Sequence, residues 1–436
     1  MYPIKKIKKI LSSKELLNFG WLSGDKIVKL LLGLIVGIWV ARYLGPDNYG
    51  ILTFWLTLLG FFEVFASFGT QNVIIKNLVT KKNKNQIVFS AITLRLLLSM
   101  IASFAFILST TFFSTMHIEG IQLILVLILF FRFSEILKYF FESVVQSKYS
   151  AWSESLALTI SGLLKIFLIL TSSSLSFFIL AYVFEALLIL ILMTYFMIKN
   201  FPDIKLLFNE KLNFSAVKKL FQESMPFFLA SLTVLLYMKI DQLMVGIFLD
   251  PTDLGYYAVA VKISEVWYFV PLALISSFFP KLIRYYKDRI LFRNLISNLF
   301  FSLFWLSILA ATTTFLLSDY LINILFGESY SLAAGLLDIY IFSGVFVGIS
   351  ALSDRWYQVK NLSNLIFYKS LSGALLNVLL NYILISSIGI WGAALATIFT
   401  LFFLSFIFDI FFESARELLL IKINSLYKLY SSDKTS

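Results

Sequence analysis

Charged side chains interrupt the long apolar stretches of this 436-residue chain, and they are the residues whose chemistry most needs an explanation. At the centre of a bilayer an ionised group costs about 2.5–3.5 kcal/mol, so it needs a partner, a wet cavity or a route to the interface. Six acidic residues against nine basic ones leave a surplus of three positive charges, which predicts an anionic ligand. The acids are Asp25, Glu63, Glu135, Glu185, Asp241 and Glu265, and the bases are Lys26, Lys29, Arg95, Arg132, Lys138, Lys165, Lys239, Lys262 and Lys369.

Charge and glycine share one face of the first apolar stretch. Because successive helical residues turn by about 100°, Asp25, Lys26 and Lys29 fall on the same side as Gly33 and Gly37. Two small residues four apart are typical of a close-packing surface between helices, and they also let a backbone line a cavity. The pattern leaves both interpretations open.

The fourth apolar stretch also carries charges on one side, at Arg132, Glu135, Lys138 and Glu142. Spacings of three and four residues allow a ladder of ion pairs within one helix. A lysine near the end of a span can extend its ammonium into the headgroups. We therefore expect Lys138 and Lys369 to reach the interface.

Four other cations lie several residues inside their spans and are candidates to line a central cavity: Lys29, Arg95, Lys239 and Lys262. Lys165 lies deep in a short apolar stretch, and the sequence does not decide whether it faces protein or lipid.

The composition indicates where these residues must be placed. Hydrophobic residues make up 59% of the chain and charged residues 14%, against roughly 45–50% and about 25% in soluble domains. The chain has no cysteine and a single histidine, His117. These counts exclude an ordinary soluble protein, a disulfide framework, cysteine catalysis and a zinc cluster, and we predict neither a metal nor a cofactor.

Twelve stretches are long enough, or nearly so, to cross a bilayer as helices, although eleven or thirteen helices remain alternatives. Of the 36 lysines and arginines, 26 fall in segments that become cytoplasmic if both termini are inside, and only Arg42 falls on the opposite side. This bias predicts a multi-pass protein with cytoplasmic termini, and it accounts for the net charge of +11 without a nucleic-acid partner. The stretches are residues 19–44, 49–72, 87–113, 118–141, 155–170, 175–197, 225–249, 254–279, 295–317, 334–359, 365–385 and 388–412.

A short motif recurs in the two halves of the chain. Residues 44–50 read LGPDNYG and residues 249–255 read LDPTDLG, so leucine, proline and glycine repeat at an offset of 205 residues. A unit of six crossings has both ends on one side, which makes the two copies parallel repeats. We predict an all-α integral membrane protein with two six-helix bundles, residues 1–205 and 206–436.

Three segments carry a resemblance to a known family. Residues 40–50 read VARYLGPDNYG, residues 239–246 read KIDQLMVG and residues 389–397 read GIWGAALAT. In these segments and in its layout, the chain resembles the polysaccharide-exporting branch of the multidrug/oligosaccharidyl-lipid/polysaccharide flippase superfamily, whose architecture is that of the multidrug exporters. It is most similar to the O-antigen flippases of the bacterial inner membrane.

The resemblance implies that the chain moves a repeat unit on undecaprenyl pyrophosphate, for O antigen or a related polysaccharide, from the cytoplasmic to the periplasmic leaflet by alternating access. It implies a cationic cavity for the pyrophosphate, and Asp25 and Lys26 match the charged pair that related flippases carry in their first helix. Our hypothesis adds Lys29, Arg95, Lys239 and Lys262 to that substrate site. Proton or cation coupling would use Glu63, Asp241 or Glu265, and the Glu63 acid departs from the base that some relatives carry there.

Three other functions are weaker alternatives. A multidrug exporter of the same fold prefers an acidic, aromatic cavity for organic cations, against which the basic surplus argues. A membrane glycosyltransferase or polymerase needs catalytic residues in a sizeable outer loop, whereas the longest one here, residues 318–333, has about sixteen residues. A structural scaffold has no use for so many charges inside the membrane. We therefore predict a transporter and not an enzyme.

Overall fold

The structure is a computed structural model, and it is helical throughout the residues that it describes, which are 13–80, 83–113, 116, 120–202 and 210–426. In the first helix it describes the side chain of Trp21 and those from Lys29 onward. Helices follow from the composition, because a chain in hydrocarbon must pair its backbone N–H and C=O groups within each segment. The all-α prediction is confirmed.

The described residues of the first half of the chain form seven α-helices. The first helix is bent at Gly45, whose φ of 72° and ψ of 170° are not helical, and Pro46 follows the bend. The helices are α1 (Ser13–Ser67), α2 (Gln71–Thr80), α3 (Lys84–Thr110), α4 (Val126–Phe131), α5 (Ser134–Ser143), α6 (Lys148–Leu170) and α7 (Leu175–Asn200), with a 3₁₀ turn at Ile121–Leu125.

Between residues 210 and 426, the part of the second half that the structure describes, there are nine more. A π-helical turn, Phe403–Ile407, joins two of them near the end of the chain. The helices are α8 (Phe214–Phe248), α9 (Pro251–Tyr285), α10 (Arg289–Phe326), α11 (Ser331–Tyr340), α12 (Ser343–Val359), α13 (Ser363–Ile388), α14 (Ile390–Phe402), α15 (Phe408–Phe411) and α16 (Glu413–Leu426).

Within the described residues, nine helical segments are long and apolar enough to span a membrane, or ten if the bent pair around α11 and α12 forms one span. Two features explain why nine or ten segments are found although twelve spans were predicted. Helix α1 continues through its bend at Gly45 and so contains two predicted spans. The predicted span 118–141 is broken into a 3₁₀ turn and the short helices α4 and α5. The chain is a multi-pass membrane protein.

The helices form two compact units. The first comprises Met1–Leu44 with Trp55–Leu232, and the second comprises Gly45–Phe54 with Thr233–Ser436. In the first unit, buried residues of α2, α3, α5, α7 and α8 pack into one hydrophobic cluster. In the second, α9, α10, α12, α13, α15 and α16 supply another. The predicted boundary between residues 205 and 206 falls in the segment 203–209, which lies outside the described residues.

The repeated motif forms a reciprocal contact inside the second unit. A Cβ placed on Gly50 would lie 1.8 Å from the carbonyl oxygen of Pro251, and one placed on Gly255 would lie 1.9 Å from that of Pro46. Each glycine therefore admits the backbone of the other copy. The Thr252 hydroxyl donates a hydrogen bond of 3.3 Å to Asp47, which joins the same two turns. The sequence showed the repeat, and the structure gives its glycines a steric reason.

Candidate functional site

The first unit contains a polar cavity of about 530 Å³. Its walls come from α1, α2 and the turn between them, from α5 and the turn before it, and from α6, α7 and α8, so helices that are distant in sequence contribute to one site. Both signs of charge are present among the lining residues: Lys29, Ser67, Gly69, Thr70, Gln71, Arg132, Ser134, Glu135, Lys138, Tyr139, Glu154, Leu158, Glu185, Ile189, Met193 and Ser231.

Two lysines share one carboxylate in this cavity. The Lys138 ammonium lies 2.8 Å from one oxygen of Glu154 and donates a hydrogen bond of 3.2 Å to the other. Lys29 also donates to Glu154. The three residues come from α5, α6 and α1 respectively. One carboxylate thus accepts from two ammonium groups and joins three helices of the first unit.

A second cluster of charges joins α1, α3 and α5. A guanidinium nitrogen of Arg95 donates a hydrogen bond of 3.0 Å to Glu135, which also accepts one of 3.3 Å from Tyr139. Arg132 lies 3.2 Å from Glu63 and donates a bond of 3.4 Å to Glu135. Two arginines and two glutamates balance in charge. Within the fourth stretch, the ion pair between Arg132 and Glu135 is therefore part of a network that also connects this stretch to α1 and α3.

Lys165 faces protein, which the sequence left open. Its side chain is 5% exposed, its ammonium donates a hydrogen bond of 2.9 Å to Glu185, and it lies 3.7 Å from the ring centre of Tyr182. Glu185 lines the cavity. A deeply placed lysine is therefore neutralised by a carboxylate from the neighbouring helix α7.

Among the described residues the predicted surplus of three positive charges is smaller, because carboxylates outside the six counted acids pair with basic residues of the spans. Seven of the nine basic residues within predicted spans form ion pairs: Lys29, Arg95, Arg132, Lys138, Lys165, Lys239 and Lys369. Two partners were not among the six acids. Glu154 was placed in a loop, whereas α6 begins at Lys148 and includes it, and Asp354 was left out of its own span. A charge in a medium of low dielectric constant finds a partner wherever the fold supplies one.

Two lysines expected at the interface are instead held by protein. Lys138 lines the cavity and contacts Glu154. Lys369 is 2% exposed and donates bonds of 2.8 Å to Asp354 and 2.9 Å to the carbonyl oxygen of Ser350. Position near the end of a span does not determine where a side chain points, because a partner inside the protein is within its reach.

The candidate substrate residues are divided between the two units. Lys29 lines the cavity of the first unit, and Arg95 contacts its wall through Glu135. In the second unit, the Lys239 ammonium donates bonds of 2.9 and 3.2 Å to the two oxygens of Glu265. The side chains of Asp25 and Lys26 lie outside the described residues.

Lys262 contacts a residue of the repeated motif. Its ammonium donates a bond of 3.3 Å to the hydroxyl of Tyr49 and lies 5.7 Å from the centre of that ring. Both residues belong to the second unit. Lys262 is therefore placed beside the contact between the two turns.

The candidate coupling residues differ in their surroundings. Glu63 and Glu265 each contact a cation, as described above. Asp241 is 2% exposed and accepts hydrogen bonds of 2.8 Å from the backbone N–H of Gln242, 2.6 Å from Tyr257 and 3.3 Å from Thr397. Neutral donors thus surround Asp241, whereas ionic partners hold the other two acids.

Glu154 is the cavity residue that the sequence interpretation missed. A signal was present, because Glu154, Ser161 and Lys165 follow one another at seven and four residues and so lie on one face of α6. All three are on the protein-facing side, with Ser161 at 0% and Lys165 at 4% exposure and the Glu154 side chain at 13%. Extending the predicted span 155–170 by a single residue would have included Glu154, and the helix in fact begins seven residues earlier, at Lys148.

The cavity has the chemistry of a site for a charged or strongly polar ligand. Ammonium groups of lysine bind phosphate as compact point charges, and two of them, Lys29 and Lys138, face one carboxylate. The three glutamates of the lining could instead face a cation. Hydroxyl and amide groups of Ser67, Gln71 and Ser231 add hydrogen-bonding capacity to the walls.

Solved structures of known transporters share this fold. A structure described as the lipid II flippase MurJ in an inward closed conformation aligns with a TM-score of 0.71 and 19% identity, over 95% of this chain and 93% of that one. An inward-facing multidrug resistance MATE family transporter of the MOP superfamily aligns with a TM-score of 0.68 and 13% identity, over 96% of this chain and 99% of that one. The predicted MATE-like architecture is confirmed.

Sequence comparison gives a narrower grouping. The chain is 27% identical over 190 residues to the probable low-salt glycan biosynthesis flippase Agl15 of Haloferax volcanii, a match that spans 43% of this chain and 40% of that relative. The MatE family model matches residues 226–383. The model of the family described as polysaccharide biosynthesis protein matches residues 16–286, which is more than half of the chain. The chain therefore belongs to the polysaccharide biosynthesis protein family, within the MOP superfamily.

Proposed function

We propose that this protein is a flippase that carries a lipid-linked oligosaccharide across the membrane. The substrate is an O-antigen or related polysaccharide repeat unit on undecaprenyl pyrophosphate, and it moves from the cytoplasmic to the periplasmic leaflet of the bacterial inner membrane. Both termini are cytoplasmic in this proposal, as the basic residues of the connecting segments favour. No covalent bond is made or broken.

The observation that carries the proposal is the pair Lys29 and Lys138 sharing Glu154 inside a polar cavity. Two ammonium groups from different helices converge there on one carboxylate, and lysine ammonium groups bind phosphate as compact point charges, so an anionic headgroup would find cationic partners in this cavity. Membership of the polysaccharide biosynthesis family supports a glycan substrate. The name of the relative from Haloferax volcanii, a glycan biosynthesis flippase, agrees with it.

In the proposed cycle, the headgroup enters the cavity while the lipid tail stays in hydrocarbon. The ammonium groups replace part of the hydration that a pyrophosphate loses on leaving water, which lowers the cost of moving it through the bilayer. The two predicted halves, residues 1–205 and 206–436, then expose the site to each leaflet in turn. The driving force in this proposal is a proton or cation gradient acting on Glu63, Asp241 or Glu265.

Complementation of a bacterium that lacks its O-antigen flippase tests the proposal. The wild-type chain should restore the ladder of lipopolysaccharide bands, and Lys29→Ala and Lys138→Ala should lose most of it at equal protein levels. Lys148→Ala is the matched control, because Lys148 is exposed at the start of α6. Full banding from both cavity variants would contradict the assignment of this cavity as the substrate site. No banding from the wild type would contradict the proposed O-antigen substrate.

The coupling proposal has a separate test in liposomes that contain the purified protein and a lipid-linked sugar. Imposing a proton or sodium gradient should increase the rate at which the sugar reaches the opposite leaflet. The coupling residue should be the one whose substitution abolishes the increase in rate that the gradient causes. The variants to compare are Asp241→Asn, Glu63→Gln and Glu265→Gln. If the transport rate is the same with and without either gradient, the proposal of ion coupling is contradicted.

A multidrug exporter is the second candidate, and one observation favours it. Glu135, Glu154 and Glu185 line the cavity in the same number as the lining cations Lys29, Arg132 and Lys138, so an organic cation also finds partners. Cells without their own exporters should then extrude ethidium when they express this protein. Ethidium extrusion without restored lipopolysaccharide banding would favour the exporter.

A further inference from the structure

The basic turn between α9 and α10, residues 281–293, carries five basic residues and a single acid. The acid, Asp288, accepts hydrogen bonds from two backbone N–H groups at the start of α10. The Lys281 ammonium lies 5.5 Å from the ring centre of Tyr285. The other four basic side chains are exposed and make no ion pair, hydrogen bond or ring contact with any residue that the structure describes: Arg284, Lys287, Arg289 and Arg293.

The hydrophobic core holds both helix ends and so fixes where these cations stand. Leu282 of α9 and Phe292 of α10 are 0% and 5% exposed, and both belong to the hydrophobic cluster of the second unit. Arg289 and Arg293 are four residues apart in α10, so their side chains lie on one face, where like charges repel each other. Since neither arginine has a carboxylate partner in the described part of the chain, an external anion would relieve this repulsion.

Large apolar side chains of the basic turn are exposed beside its cations. Ile283 is 56% exposed, Ile290 73%, Leu291 46% and Tyr286 41%. The positive-inside bias explains basic residues in a connecting turn, but it gives no reason for exposed isoleucines next to them. Cations combined with large apolar side chains are typical of segments that lie in the membrane interface.

The distance from the predicted spans places the basic turn in the headgroup layer. With a rise of about 1.5 Å per helical residue, Lys281 and Arg293 lie about 3 Å outside the spans on either side, and Arg284 and Arg289 about 8 and 9 Å outside. The polar layer on each face of the hydrocarbon core is roughly 5–8 Å thick. Because arginine and lysine side chains are long, all of these cations can reach lipid phosphates.

We propose that the basic turn binds the headgroups of anionic phospholipids, whose phosphates contact the four unpartnered cations while the exposed apolar side chains enter the interface. The guanidinium group of an arginine can hold two oxygens of one phosphate. A lipid is the occupant because cationic and apolar groups share this surface, whereas a free phosphate would use only the charges. Zwitterionic lipids attach a cation to the same phosphate and gain less. The inference concerns the surrounding membrane and goes beyond the transported substrate.

A local measurement of lipid composition tests the inference. The chain has no cysteine, so Asn294→Cys, at an exposed residue next to Arg293, accepts a single fluorescent label. The full-length protein is placed in phosphatidylcholine nanodiscs with one copy each, and a nitroxide quencher is added on phosphatidylglycerol or on phosphatidylcholine. Each cation that contacts a headgroup adds about fivefold in affinity. At low salt the association constant of phosphatidylglycerol at the label should therefore exceed that of phosphatidylcholine by at least about tenfold.

Matched variants separate the contribution of the cations from that of the apolar residues. Arg289→Gln with Arg293→Gln should lower the ratio of the two association constants by at least about fivefold. Lys218→Gln with Lys219→Gln removes two exposed basic residues outside the turn and should leave the ratio within about twofold of the wild type. Ile283→Ser should weaken quenching by both lipids equally. The monodisperse fraction of each purified variant checks that it is folded.

Salt and a soluble competitor complete the test. At 1 M salt, where the Debye length is about 3 Å, the ratio should approach one. Equal quenching by the two lipids at low salt would overturn the inference, as would an unchanged ratio in the folded arginine variant. Displacement of phosphatidylglycerol by soluble glycerol phosphate at the concentration of the quencher lipid would also overturn it, because the ligand would then be a free phosphate.

Discussion

Replacing Gly255 by alanine should force apart the two turns of the repeated motif. The added Cβ would lie 1.9 Å from the Pro46 carbonyl oxygen, whereas real Cβ atoms essentially never come within 3.0 Å of such an atom. The turns must therefore separate by more than 1 Å, and the obstacle is backbone that cannot rotate away. Overpacking of this kind costs about 1–3 kcal/mol or more, against a gain of about 1 kcal/mol for alanine in a helix. Because the overlap exceeds 1 Å and is with backbone, we place the cost at the upper end, about 3 kcal/mol, which leaves a net loss of about 2 kcal/mol.

The reciprocal geometry makes a second expectation possible. Gly50→Ala meets the Pro251 carbonyl in the same way, so one separation of the turns relieves both overlaps. The double variant should therefore lose clearly less stability than the sum of the single variants, which is the signature of coupled sites. Additive losses would contradict a single shared displacement.

The assay is the heat stability of the purified protein in detergent. The measured quantity is the fraction of protein that stays monodisperse after heating. Gly60→Ala is the control, because it lies in α1 as Gly50 does and no described atom lies within 4 Å of its added Cβ. That variant should be as stable as the wild type or slightly more stable. Wild-type stability of Gly255→Ala would refute the steric account of the motif.

Two further predictions concern buried ion pairs. Lys165→Met leaves the Glu185 carboxylate without its ammonium partner and should lower the stability of the protein by about 3–5 kcal/mol. The double variant Lys165→Met with Glu185→Leu should recover most of this loss, as measured by heat stability in detergent. No recovery would contradict the pairing. Lys422, 1% exposed, lies 2.7 Å from Asp409, 0% exposed, and anchors α16 to the end of the last span. Lys422→Met should therefore make the segment after residue 412 accessible to protease, and Lys422→Met with Asp409→Leu should restore protection.

The sequence determined that most of the chain lies in the hydrocarbon of a membrane. That environment in turn determined most of the fold. Its apolar stretches permitted few structures other than spanning helices, because hydrocarbon offers no hydrogen bonds. The repeated Pro46 and Pro251 turns were visible as a motif at a fixed offset. The three segments that resemble the flippase superfamily led to the same architecture as the structural neighbours do.

Interruptions of the helices were harder to see. The bend at Gly45 joins two predicted spans into one helix, and the stretch around residues 121–143 is broken although its hydropathy is continuous. Hydropathy counts apolar residues and is insensitive to a single turn of altered backbone. Span boundaries were correspondingly uncertain, which is how Glu154 was assigned to a loop.

The pattern of charge pairing is what only the tertiary structure decided. The sequence gives the number of charges within the spans, but a carboxylate from any helix can approach a given ammonium, as Glu154 of α6 does for Lys29 of α1, 125 residues away in the chain. At an effective dielectric constant below that of water such pairings dominate the energy of each charged group, and they depend on helix packing, which hydropathy does not encode. The sequence therefore determined that charges had to be accommodated in the membrane, and the packing of the helices decided which of them neutralise one another.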